Sequence, residues 1–306
     1  MQAICDIWNE HFQAEGVDGL APMTPNRLET FELSKPLFQA DHFLICEVDG
    51  IPIAFLEFGF FANENEEDTD ERDVSILALC ARDVEMAPQA ADSLLRECQK
   101  RTASAKSWTV RPPLPNNGFL GIAPADGLAG VTPQETRLCG WLQHGGYSVD
   151  RMLTLWELQL AFFQAPVDRA QIQIRRASRV LREQDEPVLP WWRSCLLGHT
   201  DASMFRLGDK LGEPLNLDAL FWQIEPELLS DYLLKVWVWP DFAKSDSSSD
   251  QLVYLVAEAL RQFQAEQIDV ARTASFEDDE VASAVLHRLG FSPLEQGASF
   301  AKNTSE

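Results

Sequence analysis

Basic residues that could hold phosphate groups are concentrated in one short stretch of the chain. Five arginines and no acidic residue lie between positions 169 and 182, namely Arg169, Arg175, Arg176, Arg179 and Arg182. Guanidinium groups bind phosphate oxygens through charge-assisted hydrogen bonds, so this stretch could help to bind a phosphorylated ligand. The alternative is a solvated basic face that offsets the acidic bulk of the chain.

Several enzyme motifs with a fixed spacing are absent. There is no GxxxxGK[ST] and no GxGxxG, which argues against a P-loop or a Rossmann dinucleotide site, and there is no GxSxG nucleophile elbow. The histidines are scattered, with no HExxH and no Cys/His cluster, and we expect surface or capping roles for His11, His42, His144, His199 and His287. We therefore expect neither a structural nor a catalytic metal.

The chain is strongly acidic, with 25 basic and 48 acidic residues and a net charge of −23. This balance argues against general binding of nucleic acid or of anionic membranes, and it favours cationic partners. The apolar stretches are far too short to span a bilayer, and we interpret the N-terminus as the first helix of a mature protein. The six cysteines form no CxxC pair, so we expect reduced, buried thiols and a cytoplasmic location.

Both halves of the sequence repeat one order of elements. Each half is predicted to contain a helix, a β-hairpin, a long strand, an amphipathic helix, a short strand, a short helix followed by a Gly-aromatic pair, and a final strand. In the first half these elements are predicted at 2–14, 43–58, 74–80, 87–98, 107–110, 132–142 and 152–160. In the second half they are predicted at 187–198, 204–225, 232–239, 252–263, 268–271, 278–289 and 298–302.

Residues that start and stop helices support these assignments. Thr24 is predicted to be the N-cap of an additional helix with Pro25 at its first position, and Thr132–Glu135 has the pattern of a capping box. Gly290 is predicted to end the last helix in a left-handed conformation. Residues 63–73 hold seven acidic residues and one arginine, and we expect them to form a solvated loop.

A duplicated α/β domain explains this repeat. We expect an α/β (α+β) mixed sheet in each of two tandem domains, at residues 1–165 and 166–306, with a linker at 161–182. The last strand of each half is expected to complete a sheet.

Two stretches of sequence carry a resemblance to a known family. Residues 44–55, LICEVDGIPIAF, are similar to the hairpin of the GCN5-related N-acetyltransferase (GNAT) superfamily, and residues 279–291, DEVASAVLHRLGF, are similar to its closing NxxAxxxYxxLGF motif. A shorter version of the closing motif lies at 139–147. The chain thus resembles a tandem pair of these domains over almost its whole length, which implies an acyl-CoA N-acyltransferase fold.

The resemblance implies a phosphate-binding loop in the second half. The family sequence [RQ]xxGx[GA] precedes a helix whose N-terminus faces the pyrophosphate of acyl-CoA, such as acetyl-CoA. Lys244 takes the basic place, and Ser247 and Ser249 take the glycine places. The full predicted acyl-CoA site is Trp237 and Val238 of the central strand together with Lys244, Ser245, Asp246, Ser247, Ser248, Ser249 and Asp250. Asp246 and Asp250 would repel a phosphate, and a polar loop without any ligand is the alternative.

The equivalent loop of the first half, Met86–Ala91, has no glycine and no basic residue, and Pro88 removes one donor. We therefore expect the first half to be non-catalytic and to act mainly as a packing partner.

The resemblance implies that an amine attacks the thioester carbonyl, with a base that accepts the ammonium proton and an acid, usually tyrosine, that protonates the thiolate. Leu286 and Leu142 stand at the two tyrosine positions, so the usual acid is missing from both halves. Tyr232 is the remaining candidate acid, with His287 as an alternative, and Glu225 is the candidate base.

The predicted function is acyl-CoA-dependent N-acetyltransfer to a small, cationic primary amine, without a metal, a nucleic acid or a membrane as partner. The alternative is a catalytically inactive domain pair that binds a ligand or a protein. The sequence leaves the acceptor, the acyl chain and the oligomeric state open.

Overall fold

The structure is a computed structural model that describes residues 1–17, 20–35, 38–62, 69–111, 129–183, 197, 200–223, 233–240 and 249–303. Its helices are α1 (Gln2–Glu15), α2 (Pro25–Leu28), α3 (Ala87–Arg101), α4 (Thr136–His144), α5 (Arg169–Ala177), α6 (Ser249–Ala265) and α7 (Glu280–Leu289). Its strands are β1 (Phe43–Val48), β2 (Ile51–Ala62), β3 (Thr69–Ala81), β4 (Ser107–Val110), β5 (Ser148–Gln159), β6 (Ser178–Arg182), β7 (Asp201–Asp209), β8 (Pro214–Gln223), β9 (Lys235–Pro240), β10 (Val270–Phe276) and β11 (Ser292–Asn303).

The chain divides into two compact units. Unit 1 comprises Met1–Leu153, Leu189–His199 and Gln296–Glu306, and unit 2 comprises Thr154–Val188 and Thr200–Glu295. Both β5 and β11 begin in one unit and end in the other.

In unit 1 the strands follow the order β1-β2-β3-β4-β11. The first three strands are antiparallel, β3 and β4 are parallel, and β4 is antiparallel to β11. Helix α3 packs its apolar face onto this sheet, where Leu94 and Leu95 join one hydrophobic core with Leu56, Phe58 and other sheet residues. Helix α1 also packs against β2 and β3.

In unit 2 the strands follow the order β5-β10-β9-β8-β7-β6. Strands β6 to β9 are antiparallel, and β9 is parallel to β10. Helix α6 is apolar on nearly all sides and is therefore buried, with Leu255, Val256 and Phe263 at the centre of the core of this unit. Helix α7 follows β10 and contributes Leu286 and Leu289 to the same core.

The strand that completes each unit comes from the other half of the sequence. Residues Phe300–Asn303 of β11 pair with β4 in unit 1. Residues Thr154–Gln159 of β5 belong to unit 2, where β5 is the neighbour of β10 and Trp156 Nε1 donates to Ser275 Oγ at 2.9 Å. The mixed α/β fold predicted from the repeat is confirmed, whereas the proposed domain boundary between 165 and 166 stays a prediction.

Several predicted helix ends agree with the structure. Thr24 Oγ1 accepts from the Arg27 N–H at 3.3 Å, with Pro25 at the first helical position, and Gly290 ends α7 at a φ of 88°. Helix α4 begins later than predicted, because the Glu135 carboxylate accepts from the Thr132 N–H at 2.9 Å and closes a turn before the helix starts at Thr136.

The predicted linker at 161–182 is wrong. These residues form the end of a short 3₁₀ helix, α5 and β6, all within unit 2. Asp168 is the N-cap of α5, and its carboxylate accepts from the Gln171 N–H at 2.9 Å. The predicted acidic loop at 63–73 is also shorter than expected, since residues 69–73 belong to β3, while residues 63–68 lie outside the described part of the chain.

No helix among the described residues is long and apolar enough to span a membrane.

Candidate functional site

Two neighbouring strands of unit 2 stop pairing partway along their length. Strand β9 is in register with β10 only from Lys235 to Trp237, which lies opposite Arg272. Strand β9 nevertheless stays paired with β8 up to Pro240, and β10 continues to Phe276. Beyond Trp237, the described strands pair with β9 on one side only, so N–H and C=O groups on its other edge can form hydrogen bonds with a ligand.

Trp237 and Thr273, which lie where the β9–β10 pairing ends and on opposite faces of the sheet, each have a buried polar atom without a hydrogen-bond partner. Thr273, the first β10 residue beyond the paired segment, is fully buried, and its hydroxyl makes no hydrogen bond. The indole Nε1 of Trp237 is also buried without a hydrogen-bond partner. Such atoms are costly in a folded protein and mark places where polar groups of a ligand would be stabilising.

The N-terminus of α6 lies beyond β9 along the chain and is tied to α5 and α7. Gln171 Nε2 of α5 donates to the Asp250 carbonyl at 2.9 Å. Arg288 of α7 forms ion pairs with the Asp250 carboxylate and, at 2.6 Å, with Asp168. The first turn of α6 thus holds an acidic side chain whose charge is partly compensated by one arginine.

The ionisation of this cluster follows from those contacts. Hydrogen bonds donated by the Gln171 N–H and then by Arg288 lower the pKa of the Asp168 carboxyl, while the hydrogen bonds that Arg288 donates to Asp250 and then to Asp168 raise the pKa of Arg288. An incoming phosphate would therefore meet the Arg288 guanidinium together with the side chains of Asp168 and Asp250.

The structure places four of the predicted acyl-CoA residues. Trp237 and Val238 are buried in β9 at the opening, and Ser249 and Asp250 form the first turn of α6. The remaining predicted site residues lie outside the described part of the chain, namely Lys244, Ser245, Asp246, Ser247, Ser248, Glu225 and Tyr232.

In unit 1 the pairing of β3 with β4 also ends partway along a strand, and a buried ion pair lies beside that point. Strand β4 ends at Val110, opposite Ile76, whereas β3 continues to Ala81. The Arg111 side chain follows β4 and forms a fully buried ion pair with Glu135 at 2.5 Å. Cys80 lies on the part of β3 that has β2 but no β4 residue beside it, and burial raises the pKa of its thiol, with smaller opposing effects of Arg111 and Glu135. The buried ion pair thus lies close to this part of β3.

The first turn of α3 has one backbone donor fewer for an anion, because Pro88 has no N–H. Its N-cap residue, Met86, makes no side-chain capping hydrogen bond, so that side chain does not occupy the other N–H groups of the turn.

The positions of the missing acid are both buried. Leu142 and Leu286 are completely inaccessible and belong to the cores of units 1 and 2. His287 packs edge-on against Trp156, with ring centroids 4.8 Å apart, as expected for a different helix face. Tyr147 is buried, and its hydroxyl accepts from Gln99 Nε2 at 3.1 Å.

Sequence reasoning missed Asp168, Gln171 and Arg288. Asp168 precedes a helical stretch, which is an N-cap signal, but Pro166 and the arginine run favoured a linker instead. No sequence signal indicates that Arg288 reaches Asp250, since the two residues are 38 positions apart and meet only through packing.

A groove of about 530 Å³ elsewhere in unit 2 is lined by residues such as Glu157, Phe162, Leu289, Pro293 and Leu294. It includes no residue of β9 or α6 and is not part of the candidate site. No group of three or more His, Cys, Asp or Glu side chains among the described residues is placed to hold a metal ion.

No protein-family model and no curated protein matches the sequence, but solved structures match the fold. A tandem GNAT protein from the clavulanic acid biosynthesis pathway, solved without AcCoA, superposes with a TM-score of 0.60 at 12% identity over 99% of this chain and 95% of that one. A GCN5-related N-acetyltransferase from Sphaerobacter thermophilus gives a TM-score of 0.59 at 11% identity, over 98% and 91% of the two chains. The N-myristoyltransferase of Saccharomyces cerevisiae with bound myristoyl-CoA gives 0.52 at 12% identity, over 99% and 75%.

Identities this low establish the fold alone, and they do so over nearly the entire chain. The repeat of elements, the parallel strand pair that opens in each unit and these superpositions agree, and the protein has the tandem fold of the GCN5-related N-acetyltransferases.

Proposed function

We propose that the protein is an acyl-CoA-dependent N-acyltransferase that binds acetyl-CoA in unit 2 and acetylates a small cationic amine. The observation that carries this proposal is the opening between β9 and β10, which lies on the strand that leads into the N-terminus of α6. An unpaired strand edge suits the two amide groups of a pantetheine arm, and a helix N-terminus suits a pyrophosphate.

The residues near the two strand openings favour unit 2 as the acetyl-CoA site. The end of β4 in unit 1 leads into the buried Arg111–Glu135 pair, and Pro88 removes one backbone donor from the first turn of α3. Thr273 and Trp237 of unit 2 have buried polar atoms without hydrogen-bond partners, but so does Arg111 of unit 1 at Nη2, so these atoms do not distinguish the two units.

In the proposed reaction the neutral amine attacks the thioester carbonyl, a C–N bond forms, and the C–S bond breaks to release the CoA thiolate. Glu225 is proposed to accept the ammonium proton and Tyr232 to protonate the thiolate, which regenerates both groups after proton exchange with water. The acidic composition supports a cationic acceptor, and the free thiols among the described cysteines agree with a cytoplasmic location.

Steady-state acetyl transfer to a panel of primary amines tests this proposal. Turnover that falls about 100-fold in Glu225→Gln, with an unchanged dissociation constant for acetyl-CoA, is the expected result for a general base. Glu213→Gln is a matched control, because Glu213 also lies in unit 2, at the turn before β8. Equal activity of Glu225→Gln and Glu213→Gln would contradict the role of Glu225.

One observation favours a second candidate function. Leucines, which have no proton to donate, occupy both tyrosine positions of the family. Both leucines are completely buried. A catalytically inactive protein that binds acyl-CoA would show calorimetric heat with acetyl-CoA but no turnover with any amine of the panel.

A further inference from the structure

Three arginines on α5 have no acidic partner within the described part of the chain. Arg169, Arg175 and Arg176 are exposed, and none of them forms an ion pair with another described residue. This is unusual in a chain with almost twice as many acidic as basic residues, where other arginines pair with nearby carboxylates, as Arg182 does with Glu266 and Arg261 does with Glu258.

The geometry of α5 places these charges beside the start of α6. Gln171 contacts the carbonyl of Asp250, and Arg288 joins Asp168 at the start of α5 to Asp250 at the start of α6. Burial raises the pKa of Tyr254, and the nearby guanidinium of Arg175 opposes that rise. Helices α5 and α6 pack against each other, and the hydrogen bond from Gln171 to the Asp250 carbonyl brings the first turn of α5 to the first turn of α6.

The spacing of the arginines fits a ligand with phosphates at two places. Arg169 follows the N-cap of α5, at the end where α6 begins, and Arg176 lies about 10 Å further along α5 at about 1.5 Å per residue. Coenzyme A carries a pyrophosphate in its chain and a separate phosphate on the 3′ oxygen of its ribose. A pyrophosphate at the α6 N-terminus would leave the ribose phosphate free to reach α5.

We propose that Arg169, Arg175 and Arg176 bind the 3′-phosphate side of the coenzyme A nucleotide and supply the positive charge that the acidic chain lacks elsewhere. This inference rests on the proposed function, because it presupposes acyl-CoA binding in unit 2. It explains why these arginines have no acidic partner: a carboxylate placed there would compete with the phosphate for them. It also assigns selectivity for coenzyme A over its dephosphorylated form to one helix.

Calorimetric binding of CoA and of 3′-dephospho-CoA to the full chain tests the proposal. Wild type should bind CoA about tenfold more tightly than 3′-dephospho-CoA. Three partly exposed charge contacts that each strengthen binding roughly two- to threefold are enough for this ratio. In the variant Arg169→Gln/Arg175→Gln/Arg176→Gln the preference should fall to about twofold or less, with little change for 3′-dephospho-CoA. Arg175→Lys should retain most of the preference, since lysine keeps the charge.

The matched control is Arg96→Gln/Lys100→Gln/Arg101→Gln, which removes three exposed charges from α3 of unit 1. It should keep the wild-type ratio. An unchanged ratio in the α5 variant overturns the inference but leaves the proposed function intact. Absence of CoA binding to wild type overturns the proposed function, and the inference with it.

Sedimentation of the same proteins tests whether a second copy of the chain, instead of CoA, binds to the basic face of α5. If the α5 variant abolishes self-association and leaves the CoA ratio unchanged, the basic face of α5 contacts a second copy of this acidic chain and the inference is wrong. Circular dichroism should show the same helical content in both triple variants, because the substituted side chains are exposed.

Discussion

Arg288 of α7 forms an ion pair with Asp250 in the first turn of α6, at the helix end where the proposed site expects a pyrophosphate. Asp250 already occupies the favourable position that a helix N-terminus offers to an anion. A phosphate that binds there must compete with this carboxylate for the helix dipole and for Arg288. The strength of binding should therefore depend on residue 250.

Asp250→Asn should tighten acetyl-CoA binding about threefold to tenfold, because the substitution removes one negative charge and frees Arg288 to contact phosphate. Isothermal calorimetry measures the effect. Asp92→Asn is the matched control, since Asp92 pairs with Arg96 on α3 of unit 1. Equal dissociation constants for wild type and Asp250→Asn would show that no phosphate binds at this helix end.

The buried carboxylates of Glu32 and Glu57 should make the protein less stable as the pH rises. Burial raises the pKa of both groups, and for Glu57 the adjacent charge of Glu32 raises it further, while Lys35 opposes the rise. The folded state therefore keeps a proton that the unfolded state has lost above about pH 4.3. The stabilising contribution is complete below the unfolded pKa and is lost as the pH rises through the raised native value, by about 1.4 kcal/mol per pH unit and per proton.

Glu57→Gln should flatten this dependence, because the amide mimics the protonated carboxyl. Urea denaturation between pH 5 and 9 provides the measurement, and Glu47→Gln on the exposed side of β1 is the control. A steeper decline in Glu57→Gln than in wild type would refute the interpretation.

His11 should make the protein less stable as the pH falls below about 6.5, which is opposite in sign to the effect of Glu32 and Glu57. It is fully buried, and burial, followed by Arg111 and Arg137, lowers its pKa to about 3. The unfolded state takes up a proton below about pH 6.5 and the folded state does not, so stability falls as the pH drops from there towards 3. His11→Phe, which keeps the ring stacked on Trp141, should remove this loss in acid denaturation curves, whereas His144→Phe should not.

The Arg111–Glu135 pair should be costly to break and cheaper to replace. Both side chains are almost completely buried, so Glu135→Ala leaves an uncompensated charge and should lower the free energy of unfolding by about 3–5 kcal/mol. The double variant Arg111→Met/Glu135→Leu should recover most of that loss. Urea denaturation of the three proteins gives the answer, and a double variant less stable than Glu135→Ala would show that the pair is favourable beyond its charges.

The order of elements could be predicted from the sequence because periodicity, turns and caps are local. The helix at 2–15, the hairpin around Asp49 and Gly50 and the cap at Gly290 depend on neighbouring residues only. Local signals could not predict that β5 ends in unit 2 or that β11 ends in unit 1. A strand pattern shows which face is buried, but the choice of partner depends on contacts far apart in sequence, such as Phe300 with Val110.

The candidate site was accessible to sequence reasoning only in part. Trp237 and Val238 follow from a strand pattern that matches the family order, and the structure places them where β9 loses its second partner. The network of Asp168, Gln171 and Arg288 does not follow from the sequence, because Pro166 and the run of arginines indicate a linker and the contacts of α5 with α6 are tertiary.

The central claim is that acetyl-CoA binds to unit 2 at the opening between β9 and β10. Hydrogen–deuterium exchange of the full chain with and without saturating acetyl-CoA tests this claim most directly, because an amide that gains a hydrogen bond or is shielded from water exchanges more slowly. The account predicts slower exchange in residues 235–240 and 249–254 and unchanged exchange in residues 77–91 of unit 1. Protection confined to residues 77–91, or no protection in either unit, would contradict it.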